Sequence, residues 1–137
     1  MIILHDTAIE VSHPKPIAGL LQDWLATLDE TDRLKEHFFV VLLDTRMKLK
    51  LVDIVSIGTL NASLVHPREV FIRAISAAAY SVLIAHNHPS GDCEPSDADI
   101  AITRRLKEAG KLLGIELVDH LIITSNGFHS FREAGRL

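Results

Sequence analysis

A chain of 137 residues is long enough for one compact domain and too short for two comfortable ones. Hydrophobic residues make up 47% and charged residues 23%, which excludes a disordered chain; 14 Lys and Arg against 18 Asp and Glu give a net charge of −4, no footprint for tight nucleic-acid binding. The single cysteine, Cys93, excludes an internal disulfide and a thiolate zinc cluster. The start, Met1-Ile2-Ile3-Leu4-His5-Asp6, has too short an apolar run and no basic residues for a signal peptide. No apolar stretch approaches the ~20 residues that cross a bilayer, so the expected setting is cytoplasmic, away from any membrane. Repeats and low-complexity segments are absent.

Residues 1–15 read as an N-terminal extension of undefined structure containing Pro14. Ile17, Leu20, Leu21, Trp24, Leu25 and Leu28 then recur at helical spacing and predict a helix over 17–28, closed by the polar cluster Asp29 to Lys35. Phe38 to Leu43 is a continuous apolar run, a strand covered on both faces. Asp44-Thr45-Arg46 is a turn, and residues 48–57 alternate as a strand that changes phase near Val52, where a bulge or bend is expected before Gly58 ends it. His66-Pro67-Arg68-Glu69 opens a helix with Pro67 at its first position, and the Ala-rich stretch 74–79 allows close packing. Ser81 to Ala85 is a short buried strand, and Pro89, Gly91 and Pro95 make 86–95 a loop. Ser96 starts a helix reaching about Lys111, Gly114 stops it, and Glu116 to Thr124 is another strand. Phe128 and Phe131 add a short terminal strand or turn. The alternation predicts an α/β (α+β) sandwich: a mixed sheet between helices, in one domain over 1–137.

The chemistry concentrates in His86-Asn87-His88-Pro89 and Ser96-Asp97-Ala98-Asp99. Two histidines at i and i+2 at the end of a strand project to one side and can reach one ion. The buried stripe of the next helix is Ile102, Leu106, Ala109 and Leu113, and stepping back from Ile102 lands on Asp99. A carboxylate on that inward stripe is a burial penalty unless it has a partner. The loop between can fold back and bring the three together. Two nitrogens and a carboxylate leave a fourth tetrahedral position for water, the pattern of a catalytic zinc site, and zinc brings that water's pKa down to about 7. The plainer readings are that His-x-His is common, and that Ser96 and Asp99 form a capping box starting a helix.

His-x-His, seven residues, then Ser-x-x-Asp resembles the JAMM signature of MPN-type zinc isopeptidases and peptidases. The wider run resembles the bacterial RadC family over roughly residues 36–135: Gly58-Thr59-Leu60-Asn61, His66-Pro67-Arg68-Glu69, His86-Asn87-His88-Pro89-Ser90-Gly91-Asp92, Asp119-His120-Leu121-Ile122. The resemblance implies a JAMM/MPN fold laid out like cytidine deaminases, Zn2+ on His86, His88 and Asp99, and Ser96 positioning the water or the oxyanion. JAMM enzymes place a glutamate at the start of the first buried strand, and Glu36 stands there as the expected general base. Its alternative is a solvated glutamate, and its rival is Glu69, whose place in a helix first turn favours capping. Longer RadC proteins carry a helical, hairpin-type module ahead of this domain; the expectation here is a chain without it, and so without the part most suggestive of DNA contact. Cys93 lies in the site loop, either a soft competitor for the metal or a passive small side chain. Asp119 and His120 lie in an apolar strand and read as satisfied core residues; His5, His13, His37 and His129 have no partner pattern. The letters His-Asn-His do not make an HNH nuclease, whose residues are spread over a ββα unit.

The expected function is therefore a zinc-dependent hydrolase of the metallopeptidase or isopeptidase kind, acting on a peptide or protein substrate. The alternatives are a DNA-repair-associated protein, with local support only from Arg104, Arg105, Lys107 and Lys111, and a zinc-stabilised interaction module without turnover.

Overall fold

Pro14 begins a helix rather than preceding one. In the computed structural model, which describes residues 2–5, 9–58 and 65–137, α1 spans Pro14–Ala26, with proline in the first turn where a missing N–H costs nothing. It stops before Leu28 because the Thr27 hydroxyl turns back to the Trp24 carbonyl. The polar cluster that follows makes one helical turn of its own, α2 (Glu30–Arg33), capped by the Asp29 carboxylate accepting from Asp32 N at 2.8 Å.

Strands β2 (Glu36–Leu43) and β3 (Leu49–Gly58) pair antiparallel across a turn in which the Asp44 carboxylate accepts from the N–H groups of Arg46 and Lys48. The phase change expected near Val52 appears as two irregularities either side of it. Phe38 and Phe39 face Ser56 and Ile54, skipping Val55; Leu42 and Leu43 face Leu51 and Leu49, skipping Lys50. Ahead of them β1 (Ile2–His5) pairs with β3, Glu10 bridges to Lys48 and Val11 is buried, while Pro14 and Lys15 open α1.

Helix α3 (Pro67–Ser76) starts at His66, whose Nδ1 accepts from Arg68 N. Strand β4 (Ser81–Asn87) runs past Ala85, because His86 and Asn87 still pair with neighbours; the loop begins at His88. Helix α4 (Asp97–Leu113), β5 (Glu116–Ile123) and β6 (Phe128–Ser130) complete the chain. Thr59, Leu60 and Asn61 of the family-like run lie outside the described residues.

The sheet order is β1-β3-β2-β4-β5-β6. Only β4 and β5 run parallel, with α4 as their crossover; the other neighbours are antiparallel. Alternation along the central strands splits the core into two layers. Phe39, Val41, Leu83, Ala85 and Leu121 pack with Ile17 and Leu21 of α1. Phe38, Val40, Val82, Ile84 and Leu117 pack with Phe71 of α3 and Ile102 and Leu106 of α4. In β5, Val82 and Leu83 face Leu117 and Asp119, so Val118 is an inserted residue that resets which side chains face α4. The mixed sheet between helices is the expected class.

At Gly110, α4 lies tight against the turn that leads into β5. The Ile115 N–H donates to the Gly110 carbonyl, and a Cβ at Gly110 would strike the Ile115 carbonyl oxygen with the Phe71 ring behind it. Gly110→Ala should therefore lower stability by about 1–3 kcal/mol in urea unfolding. Gly19→Ala, in α1 with open space around it, should raise stability by roughly 0.5–1 kcal/mol. Equal behaviour of the two variants would remove the packing explanation.

Candidate metal centre

The site forms where β4 ends beside the first turn of α4. His86 and His88 project toward α4, and Asn87 between them projects to the other face. Asp99 arrives through a capping box. The Ser96 hydroxyl oxygen accepts from Asp99 N at 3.1 Å, and the Asp99 carboxylate accepts from Ser96 N through Oδ2 at 2.9 Å. Capping and clustering are thus not alternatives: the same carboxylate caps the helix and faces the histidines. Its Oδ1 lies 3.1 Å from His86 Nε2, its Oδ2 lies 3.3 Å from His88 Nε2, and the two Nε2 atoms are 2.9 Å apart. Among the described residues this is the one group of three or more His, Cys, Asp or Glu side chains with metal-holding geometry. Two imidazole nitrogens and a carboxylate are a donor set that suits zinc, one short of the four that close a structural site.

Burial alone would raise the Asp99 pKa, but the contacts from His86 and His88 outweigh it and hold the carboxyl well below the usual range. His88 is raised, chiefly by its bond to Asp99. Its Nδ1–H donates to the Asp92 carbonyl at 2.8 Å, and its backbone N–H to the Ile123 carbonyl, which pins the start of the loop.

Glu36 opens β2. Phe38 lies directly across from His86, so Glu36 shares their face and stands at the His88 end of β4. Burial raises its pKa, and the charges acting on it are those of His86, His88 and Asp99. Asn87 fixes the backbone either side of it, accepting from His37 N through Oδ1 at 2.6 Å and donating through Nδ2 to the Lys35 carbonyl at 3.0 Å.

The structure brings Glu36, His86, His88, Ser96 and Asp99 together. It does not bring in Glu69, which is exposed on α3 and faces Arg73. Half-buried Cys93 is outside the cluster, and Arg104, Arg105, Lys107 and Lys111 lie on the solvated side of α4. Asp119 and His120 are both fully buried, on opposite faces of β5. Asp119 accepts from the Ser130 hydroxyl and from the backbone N–H groups of His120 and Arg132, tying down the C-terminal segment. His120 is a core residue that also touches the site: its Nε2 lies 2.9 Å from His86 Nδ1, and its Nδ1 lies 2.6 Å from the Thr103 hydroxyl. Sequence reasoning missed Asn87, Thr103 and the reach of His120. The available signal for Thr103 was its place one helical turn past Asp99 on the buried stripe.

The pKa directions set a stability window for the metal-free protein. Asp99, depressed, contributes stability above the unfolded carboxyl value of about 3.9, lost as pH falls through its lower folded value. His88, raised, contributes stability below the unfolded value of about 6.5, lost as pH rises through its higher folded value. Asp99→Asn in the presence of chelator should therefore be most destabilising between about pH 4 and 6.5 and less so on either side. Urea unfolding across pH reads this out; a pH-independent cost would rule out the ion-pair account.

Comparison with known proteins places the chain in a family. The family model described as RadC-like JAB domain matches residues 11–136. A UPF0758 protein of Rubrobacter xylanophilus is 49% identical over 127 residues, covering 93% of this chain and 53% of that protein. UPF0758 proteins of Moorella thermoacetica (48% over 127 residues) and Alkaliphilus metalliredigens (46% over 123) cover 93% and 90% of this chain, and 53% and 51% of their own lengths. The chain thus spans about half the length of the curated relatives it matches. Across nearly all of its residues, this chain belongs to the RadC-like JAB domain family.

Proposed function

We propose that this domain is a zinc-dependent hydrolase of the metallopeptidase or isopeptidase type. The observation that carries the reading is the convergence of His86, His88 and Asp99 with Glu36 on the same face of the sheet. The family's JAMM-type fold, one of metal-dependent hydrolases, supports it. His86, His88 and Asp99 would hold the ion. When bound, zinc supplies Lewis-acid polarisation of a carbonyl and acidifies a water.

The chain's own residues would do the rest. Glu36, with its carboxyl pKa raised by burial, takes a proton from the attacking water and returns it to the leaving amine. The Ser96 oxygen accepts from Asp99 N, which leaves the hydroxyl proton free to donate to the developing oxyanion. Asn87 holds the Lys35–His37 backbone so that Glu36 stays over the site. A cavity of about 460 Å³ opens beside His88 between α1 and the 88–91 loop. Its lining mixes Leu25, Leu34 and Ile123 with Gln22, Arg33 and Asn87 and lies on the α1 face of the sheet, so it adjoins the site only through His88.

His88→Ala should abolish stoichiometric zinc, because two remaining ligands hold the ion poorly. Retention of one zinc per chain in that variant would refute the ligand assignment. Chelation of the native protein should leave circular dichroism unchanged, since the two core layers form without the ion.

Glu36→Gln keeps the size of the side chain and removes its basicity. It should retain zinc and lose hydrolysis by the ~10²–10⁴-fold that general acid–base catalysis contributes, while Glu69→Gln retains both. Full turnover in Glu36→Gln, measured on a panel of peptide and isopeptide substrates, would exclude it as the base.

A further inference from the structure

We infer that Thr103 and His120 are positioning residues: a chain of three hydrogen bonds through them holds His86 in the tautomer whose bare Nε2 faces Asp99 and His88. The inference rests on the metal reading for its purpose, but the chain itself follows from the geometry. The Thr103 hydroxyl oxygen lies 2.7 Å from the Asp99 main-chain carbonyl. A carbonyl only accepts, so the hydroxyl donates there and its one proton is committed. The same oxygen lies 2.6 Å from His120 Nδ1, and with no proton left it must accept, so His120 Nδ1 carries the hydrogen.

His120 is fully buried, stacked on Phe131 at 4.6 Å and tilted against Phe38, in surroundings that disfavour a charged ring. A neutral ring with its proton on Nδ1 has a bare Nε2. That atom lies 2.9 Å from His86 Nδ1, so His86 Nδ1 donates and His86 Nε2 is left bare. The chain begins at the main-chain oxygen of Asp99 and ends with a lone pair 3.1 Å from the Asp99 carboxylate. A bare ring nitrogen and a carboxylate oxygen are both acceptors, so this last gap is one for a cation to bridge rather than a hydrogen bond.

The choice of partner has a chemical consequence. Metal-bound histidines commonly donate their second N–H to a carboxylate or a backbone carbonyl. Here the acceptor is a neutral imidazole, so His86 is oriented without adding negative charge behind it. Asp99 would be the only anionic ligand, which would leave more of a bound ion's positive charge for a substrate carbonyl.

The proton positions can be read directly. In ¹⁵N-labelled, metal-free protein at about pH 8, above the ordinary histidine range, long-range ¹H–¹⁵N correlation should show His120 and His86 both protonated at Nδ1. Thr103→Val keeps the shape and removes the acceptor. His120 is then free to carry its proton on Nε2 and donate to His86, which shifts the His86 proton onto the atom facing the metal site. Zinc affinity, measured by competition with a chromophoric chelator, should fall about 10–100-fold with circular dichroism unchanged. His120→Leu should show the same loss, and His120→Gln, whose amide oxygen can accept from His86, should recover most of it. A predominant Nε2–H tautomer of His86 in the native protein overturns the inference, as does unchanged zinc affinity in both Thr103→Val and His120→Leu. A native chain that takes up no zinc refutes the ligand assignment instead, and the proton positions in that metal-free protein still decide the chain.

Discussion

The pairing of β2 with β4, with Phe38 opposite His86, is the constraint on which the site depends. It gives the two strands a common face toward α4, places Glu36 at the end where the histidines emerge, and stacks Phe38 on His86 with ring centroids 6.0 Å apart. No side chain of the group is reached by a long flexible arm. Glu36 and His86 stand on strands and Asp99 in the first turn of a helix, and His88 is the first residue after β4, tied to β5 by its N–H to the Ile123 carbonyl. Backbone pairing thus does the positioning that in a loop-built site would need its own ordering entropy.

Burying this many polar groups is tolerable only because their bonds are complete. Asp119 collects three donors on the α1 side of β5, while His120, its neighbour, is bonded on the α4 side to Thr103 and His86. The inserted residue Val118 makes this arrangement work by resetting the alternation of β5 before Asp119. Without it, the histidine would face α1 and the aspartate would face the candidate ligands.

The parts legible from sequence are those whose determinants are local. His86-x-His88 reads as one strand face, and Ser96-x-x-Asp99 reads as a helix start with an inward carboxylate; both are found as expected in the structure. The helices and strands from Phe38 onward follow from periodicity. What periodicity could not supply is strand order. Glu36 stood near the site only by family resemblance, because nothing local says that β2 adjoins β4. His120 looked like core because it is core; its bond to His86 depends on a parallel pairing and on the insertion at Val118. At the N-terminus, Pro14, read as part of an extension of undefined structure, supplies the helix start.

Asn87 separates two site histidines and points away from them to fasten the far strand. A one-residue slip of β4 would send His86 and His88 into the α1 layer and swing the amide toward α4. The slipped molecule would lose the cluster and the fastening in the same step. A chain with β4 out of register would therefore lack the His86, His88 and Asp99 cluster altogether rather than present it in another frame.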